Sequence, residues 1–325
     1  MTTSGITMSG QPKIIAQPCF NAKQDAMELF TALHEDEIDE KKIIEALTRR
    51  TISQRKEIAT RYKYMYGEHF ERKLASKLTG ELKETIISLM NNVHELKARA
   101  LNNALKQLDV DNQTLIQTMI GASNEEITSL KQTYGKLFGA ELEADIENNI
   151  SGHFLYILKL ILQGKREKRL AIGNGKLEEE IYMLSLSKEK WDTPKEVVFS
   201  YILCSRSFQH IRALVKVYAY KSKETLIETI QRETSGHCRE TLISIIEYAL
   251  DPLGTYVKWI QNSIEARGKR DKDLIRLIMT RAEIDLKDIK EEFLQSTGKS
   301  LSAAIKSEVS GDYKDTLITM IERKK

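Results

Sequence analysis

Leu78-Thr79-Gly80, Ile150-Ser151-Gly152, Thr234-Ser235-Gly236 and Val309-Ser310-Gly311 decide the architecture, because they are four versions of one short string ending in a hydroxyl residue and glycine. Thirty residues before each glycine stands Arg50, Ala122, Arg206 or Arg281. Self-similarity at a fixed offset is the mark of a repeat protein, in which each copy is one helical or stranded unit that buries its apolar face against its neighbours. The glycine strings read as loops between helices.

Working outward from the four reference positions, the apolar residues recur as well. Seven residues before them stand Ile43, Leu115, Phe199 and Leu274, and eight after stand Ile58, Leu130, Leu214 and Ile289. Further on come Tyr62, Tyr134, Tyr218 and Phe293, then Phe70, Leu142, Leu226 and Leu301, then Leu74, Ile146, Ile230 and Ile305. Spacings of four and eight keep these residues on one helical face, so they form the candidate core. Prolines are rare, strand patterns are scarce, and the chain reads as all-α. In the first repeat the pattern predicts five helices, near 23–33, 39–49, 52–65, 68–77 and 81–91. Asp39 and Asp111 fall where a short side-chain oxygen can accept a free backbone N–H at a helix start.

The glycines at 80, 152, 236 and 311 are unevenly spaced, with extra chain between the second and third. This gives a flexible tail at 1–19, a first repeat at 20–91, a second at 92–163, a linker at 164–176, a third repeat at 177–250 and a fourth at 251–325. The linker holds Lys165, Arg166, Lys168 and Arg169, a run that normally stays solvated, followed by Gly173-Asn174-Gly175.

With 41% apolar and 30% charged residues in 325, the composition is that of a soluble globular protein, and a net charge of +3 does not mark a dedicated nucleic-acid binder. Cys19, Cys204 and Cys238 are odd in number and widely spaced, which suits reduced thiols in a cytosolic protein. The most apolar stretch, 154–162, contains Lys159 and is too short to span a bilayer, so membrane contact is expected to be peripheral.

A five-helix repeat in four copies, with Arg232-Glu233-Thr234-Ser235-Gly236 and Ser310-Gly311-Asp312-Tyr313-Lys314, resembles the annexin family. The likeness covers about residues 20–325 and is closest in the fourth repeat, at Asp273–Arg276 and Thr280–Leu286. The poorly matched calcium loops bring it nearer to the divergent protist alpha-giardins. The resemblance implies a curved disc of four five-helix repeats, whose convex face carries calcium ions that bridge to phospholipid. In the family, a Met/Leu-Lys-Gly-x-Gly-Thr loop offers three backbone carbonyls and a distant carboxylate completes the site. Calcium is a hard cation that takes six to eight oxygens and leaves positions for water or lipid phosphate.

Carried onto this chain, the carboxylate position falls at Lys77, Asn149, Glu233 and Glu308. The first two repeats have lost the acid. The fourth repeat is the best candidate, with carbonyls of Ile264, Ala266 and Gly268 and the carboxylate of Glu308 as expected ligands. A weaker third site would use carbonyls of Glu189, Trp191 and Thr193 with Glu233; Pro194 disturbs that loop. Either acid could instead cap a helix or pair with a lysine, and Trp191 could enter a lipid interface or pack within the protein. Arg50, Arg206 and Arg281 read as structural, bonding helix ends inside their repeats.

No residues assemble an active site or bind an organic cofactor. Gly298-Lys299-Ser300 lacks the rest of a phosphate loop, and Cys204 with His210 reads as a core thiol near a surface imidazole. The reading is therefore a non-enzymatic, cytoplasmic protein that attaches peripherally to phosphatidylserine-like anionic membranes through Ca2+, with no nucleic-acid partner. Self-association on the membrane fits the same resemblance. The alternative is a cytoskeleton-associated scaffold whose calcium sites have largely decayed.

Overall fold

The computed structural model describes residues 10–35, 37–168, 174–185, 193–267, 269–309 and 313–322. Among these there are twenty helices and no strand. The first five are α1 (Ala22–His34), α2 (Glu40–Thr48), α3 (Ile52–Tyr66), α4 (Phe70–Lys77) and α5 (Gly80–Leu89), matching the five expected segments to within two residues. The same order follows in α6 (Val93–Leu105), α7 (Asn112–Met119), α8 (Asn124–Phe138), α9 (Leu142–Asn149) and α10 (Gly152–Leu162). Next come α11 (Asn174–Ser185), α12 (Lys195–Ser205), α13 (Phe208–Ser222), α14 (Leu226–Glu233) and α15 (Gly236–Leu250). The last set is α16 (Pro252–Glu265), α17 (Asp271–Arg281), α18 (Leu286–Thr297), α19 (Leu301–Glu308) and α20 (Tyr313–Glu322).

The apolar positions that recur in sequence are the core: of the residues in those five aligned sets, none is more than 2% exposed. Helix starts follow from local chemistry. Asp39 accepts from the Lys42 N–H and Asp111 from the Thr114 N–H, as expected of caps. Thr51 with Gln54 and Ser123 with Glu126 form reciprocal capping boxes at the third helices. Gly67, Gly139 and Gly298 end those helices in the left-handed conformation, and Lys223 takes that role in α13. Gly298 and Ser300, far from holding phosphate, are a helix stop and the N-cap of α19.

The helices fall into two compact units, one of residues 1–96 with 256–325 and one of residues 97–255. In the first unit α2 packs against α20, and α5 packs against α17 and α20. In the second, α10 packs against α12 and α15. Residues 10–17, polar by composition and read above as part of a tail, are held on the first unit. Ile14 is 2% exposed, Lys13 and Ile14 both donate backbone N–H bonds to the Ala282 carbonyl at 2.9 Å, and Gln17 exchanges bonds with Gln54. One buried isoleucine and a few backbone bonds are enough to dock a segment whose average composition is polar.

A cation on each third helix reaches the carboxyl end of the fifth. Arg55 donates to Leu89 O at 2.7 Å, Lys131 to Leu162 O at 3.4 Å, Arg212 to Ala249 O at 3.1 Å and Lys290 to Ile321 O at 2.5 Å. The last carbonyls of a helix have no partner within it and carry its negative end, so a positive donor there satisfies both needs. The reference arginines do something different from the expected helix-end bonding. Arg50 grips the Asp25 carboxylate through two nitrogens at 2.5 and 2.9 Å, and Arg206 binds Glu180 at 2.5 Å, each tying its loop to the first helix of the repeat. Arg281 pairs with Asp285 and lies 4.5 Å above the Tyr256 ring.

Candidate metal centre

The fourth helix of every repeat is eight residues long and its last residue is the position assigned to the calcium carboxylate: Lys77, Asn149, Glu233 and Glu308. Three residues later stands the glycine that opens the fifth helix, and it takes a positive φ of 57° at Gly80, 65° at Gly152 and 56° at Gly236. Only glycine adopts this left-handed conformation freely.

In the fourth repeat Glu308 lies beside the loop after α16. Arg267 Nε lies 3.6 Å from Glu308 Oε2, so residues far apart in sequence converge. Arg267 itself has a φ of 47°, bending the loop where the family pattern has its variable residue between two glycines. The Ile264 carbonyl accepts from the Arg267 N–H at 3.2 Å and the Ala266 carbonyl from the Lys269 N–H at 3.3 Å. Each carbonyl has a second lone pair, and the Glu308 side chain is 37% exposed. A hard dication needs this donor chemistry, neutral carbonyl oxygens with one carboxylate and open positions, so the residues fit calcium. Gly268, the third expected carbonyl, lies outside the described residues.

The third repeat is more closed. Glu233 is 15% exposed, with Lys195 at the start of α12 3.7 Å away and Arg232 at 3.1 Å. Thr193 is part-buried just before Pro194, the residue preceding α12; Glu189 and Trp191 lie outside the described residues. In the second repeat Asn149 turns its amide back to the Asp145 carbonyl at 2.7 Å, and in the first Lys77 is exposed. Among the described residues no three His, Cys, Asp or Glu side chains cluster to hold a metal, and a carbonyl-built site does not need them.

His210 corrects the sequence expectation of a surface imidazole. It is 4% exposed, and its Nε2 lies 2.5 Å from Glu180, which also receives Arg206. Its place in the first turn of α13, behind the Ser207 cap, points it inward toward α11. Burial pushes the Cys204 thiol up to about 12, as befits a core thiol. Arg166 leaves the solvated run too, donating to the Leu203 and Arg206 carbonyls and stacking 4.3 Å over Phe208.

The fold defines a class, the all-α proteins built of four five-helix repeats. The annexin family model matches residues 24–89, 97–161, 182–245 and 256–320, and the chain belongs to the annexin family. It is 33% identical to annexin A13 of Mus musculus over 305 residues, 93% of this chain and 95% of that protein. The structure of calcium-bound annexin (Sm)1 superposes with a TM-score of 0.84 at 26% identity, covering 97% of this chain and 93% of that one. A calcium-bound alpha-14 giardin shares the fold with a TM-score of 0.75 at 17% identity, covering 93% and 99%. Annexins are in general non-enzymatic proteins that bind phospholipid membranes in a calcium-dependent way. No helix among the described residues is long and apolar enough to cross a membrane.

Proposed function

We propose that this annexin attaches to anionic phospholipid through calcium held mainly by the fourth repeat, with the third as a weaker site. The observation that carries the reading is the meeting of Glu308 with the 264–269 loop, at 3.6 Å through Arg267. The carbonyls of Ile264, Ala266 and Gly268 and the Glu308 carboxylate would hold the ion, which supplies a bridge to lipid phosphate when bound. Calcium-bound annexin (Sm)1, alike in fold and 26% identical, supports calcium as the metal. Glu189, Trp191 and Thr193 with Glu233 form the secondary set, disfavoured by the two cations already on Glu233.

The test is sedimentation with phosphatidylserine vesicles across a calcium titration, with chelator, for wild type, Glu308→Gln and Glu233→Gln. Pelleting that requires calcium, falls sharply in Glu308→Gln and falls less in Glu233→Gln supports the reading. Unchanged binding by Glu308→Gln refutes the fourth-repeat site. A second reading, a scaffold that engages cytoskeletal proteins or other copies of itself, is favoured by Lys77 and Asn149 standing where two acids would be. Absence of pelleting even at millimolar calcium, about the weak end for such sites, would favour it.

A further inference from the structure

Glu308 already has a cation. Forty-one positions ahead of each fourth-helix terminus lies the residue in the middle of the first loop, which pairs Asp36 with Lys77, Leu108 with Asn149, Asp192 with Glu233 and Arg267 with Glu308. In three of the four repeats the two positions match in charge: acid with base, neutral with neutral, base with acid. The third repeat departs from this pattern, and there Lys195 and Arg232 stand within 4 Å of the acid instead. Each acid that persists at a fourth-helix terminus is thus neutralised by the protein itself.

Arg267 with Glu308 is the charged pair of these whose two members are both described. Its side chain is 80% exposed and free to swing, yet its Nε is drawn to 3.6 Å from Glu308 Oε2. It stands in left-handed backbone, φ 47°, a conformation costly for a residue with a Cβ, directly after Ala266, whose carbonyl is one of the proposed ligands. A guanidinium cannot be deprotonated in this setting, so it leaves the carboxylate only by moving away.

We propose that Arg267 is the resident counter-ion of Glu308, that calcium entering the loop must displace it, and that this competition sets the calcium threshold of the fourth repeat. The proposal rests on the fourth-repeat site put forward above. An exposed ion pair of this kind shifts an equilibrium by about two- to fivefold, and a dication held by several oxygens outcompetes it.

The experiment is calorimetric titration of the full chain with calcium chloride, without lipid, for wild type, Arg267→Gln, Arg267→Lys and Glu308→Gln. Arg267→Gln should bind calcium about two- to fivefold more tightly, and Arg267→Lys, which keeps the charge and the same backbone demand, should return toward wild type. In the metal-free protein the Nε–Hε resonance of Arg267 should shift in Glu308→Gln, and in wild type it should shift on adding calcium. If Glu308→Gln abolishes the site's calcium binding while Arg267→Gln leaves the affinity unchanged or weaker, the counter-ion role alone is overturned. If wild type and Glu308→Gln titrate alike, the fourth-repeat site itself is wrong and this role falls with it.

Discussion

Replacing Arg55 by alanine removes a guanidinium that holds two helix ends at once. Its Nε donates to Leu47 O at 2.8 Å and another nitrogen to Leu89 O at 2.7 Å, with Glu283 at 3.8 Å, and the side chain is 4% exposed. Hydrogen bonds from a charged donor contribute about 1.5–3 kcal/mol each. Burial works against them and lowers the Arg55 pKa to about 10. Truncation strands the two carbonyls and strips Glu283 of a nearby charge, so the net loss should be about 3–5 kcal/mol, the range for breaking a buried charged interaction. The equivalent Lys131 makes one carbonyl bond at 3.4 Å and an ion pair with Glu143 from a side chain that is 33% exposed, and its loss should cost below about 1 kcal/mol. At roughly 2–4 °C per kcal/mol for a unit of this size, thermal unfolding followed by circular dichroism should fall by about 6–20 °C in Arg55→Ala and by a few degrees at most in Lys131→Ala. The sign with pH follows from the lowered pKa. Arg55 is protonated in both folded and unfolded chains below pH 10, so the deficit should be flat from neutral pH to about pH 9, and only above pH 10 would the wild type gain stability from shedding the proton. Equal, small shifts in the two variants would refute the argument that burial sets the strength of these contacts.

Two further outcomes can be checked cheaply. Burial holds the Cys204 thiol near 12 and the Cys238 thiol near 11, so a maleimide at about pH 8 should label the exposed Cys19 alone until the protein is unfolded; prompt labelling of Cys204 would contradict its place in the core. Ile14→Ala should release residues 10–17 and open them to a non-specific protease, whereas Ile15→Ala, at a side chain 49% exposed, should not; equal cleavage would mean that the buried isoleucine is not the anchor.

Much of this was legible in the sequence. The aligned apolar residues identified the core because burial demands one kind of side chain at each position, and the glycines marked the reversals because few other residues take a positive φ. The residues to which the resemblance assigns the carboxylate keep the same register, each ending a fourth helix. The helix-end cations were not. Lys131 and Lys290 share one offset from the repeat reference but Arg55 and Arg212 do not, and the acceptors are carbonyls that every residue possesses. His210 was misplaced because its polarity suggested the surface, while the partner that keeps it inside, Glu180, stands thirty residues away. The second set of glycines, at 67, 139 and 298, was obscured by Lys223, which adopts the left-handed conformation without being glycine. In the fourth repeat α18 begins only at Leu286, after an extra turn closed by Asp285, so the register of helix starts is not uniform even where the core register is.

The first compact unit is assembled from the two ends of the chain, with α2 and α5 meeting α17 and α20 and the 10–17 segment lying on Ala282. During synthesis residues emerge in order at about 5–20 per second, so the first repeat waits on the order of ten seconds or more for the last to leave the ribosome. Meanwhile the middle unit, continuous from 97 to 255, has all of its own contacts to hand. The interior of the sequence therefore matures before its beginning, and the apolar faces of α2 and α5 are the surfaces a nascent-chain chaperone would find open.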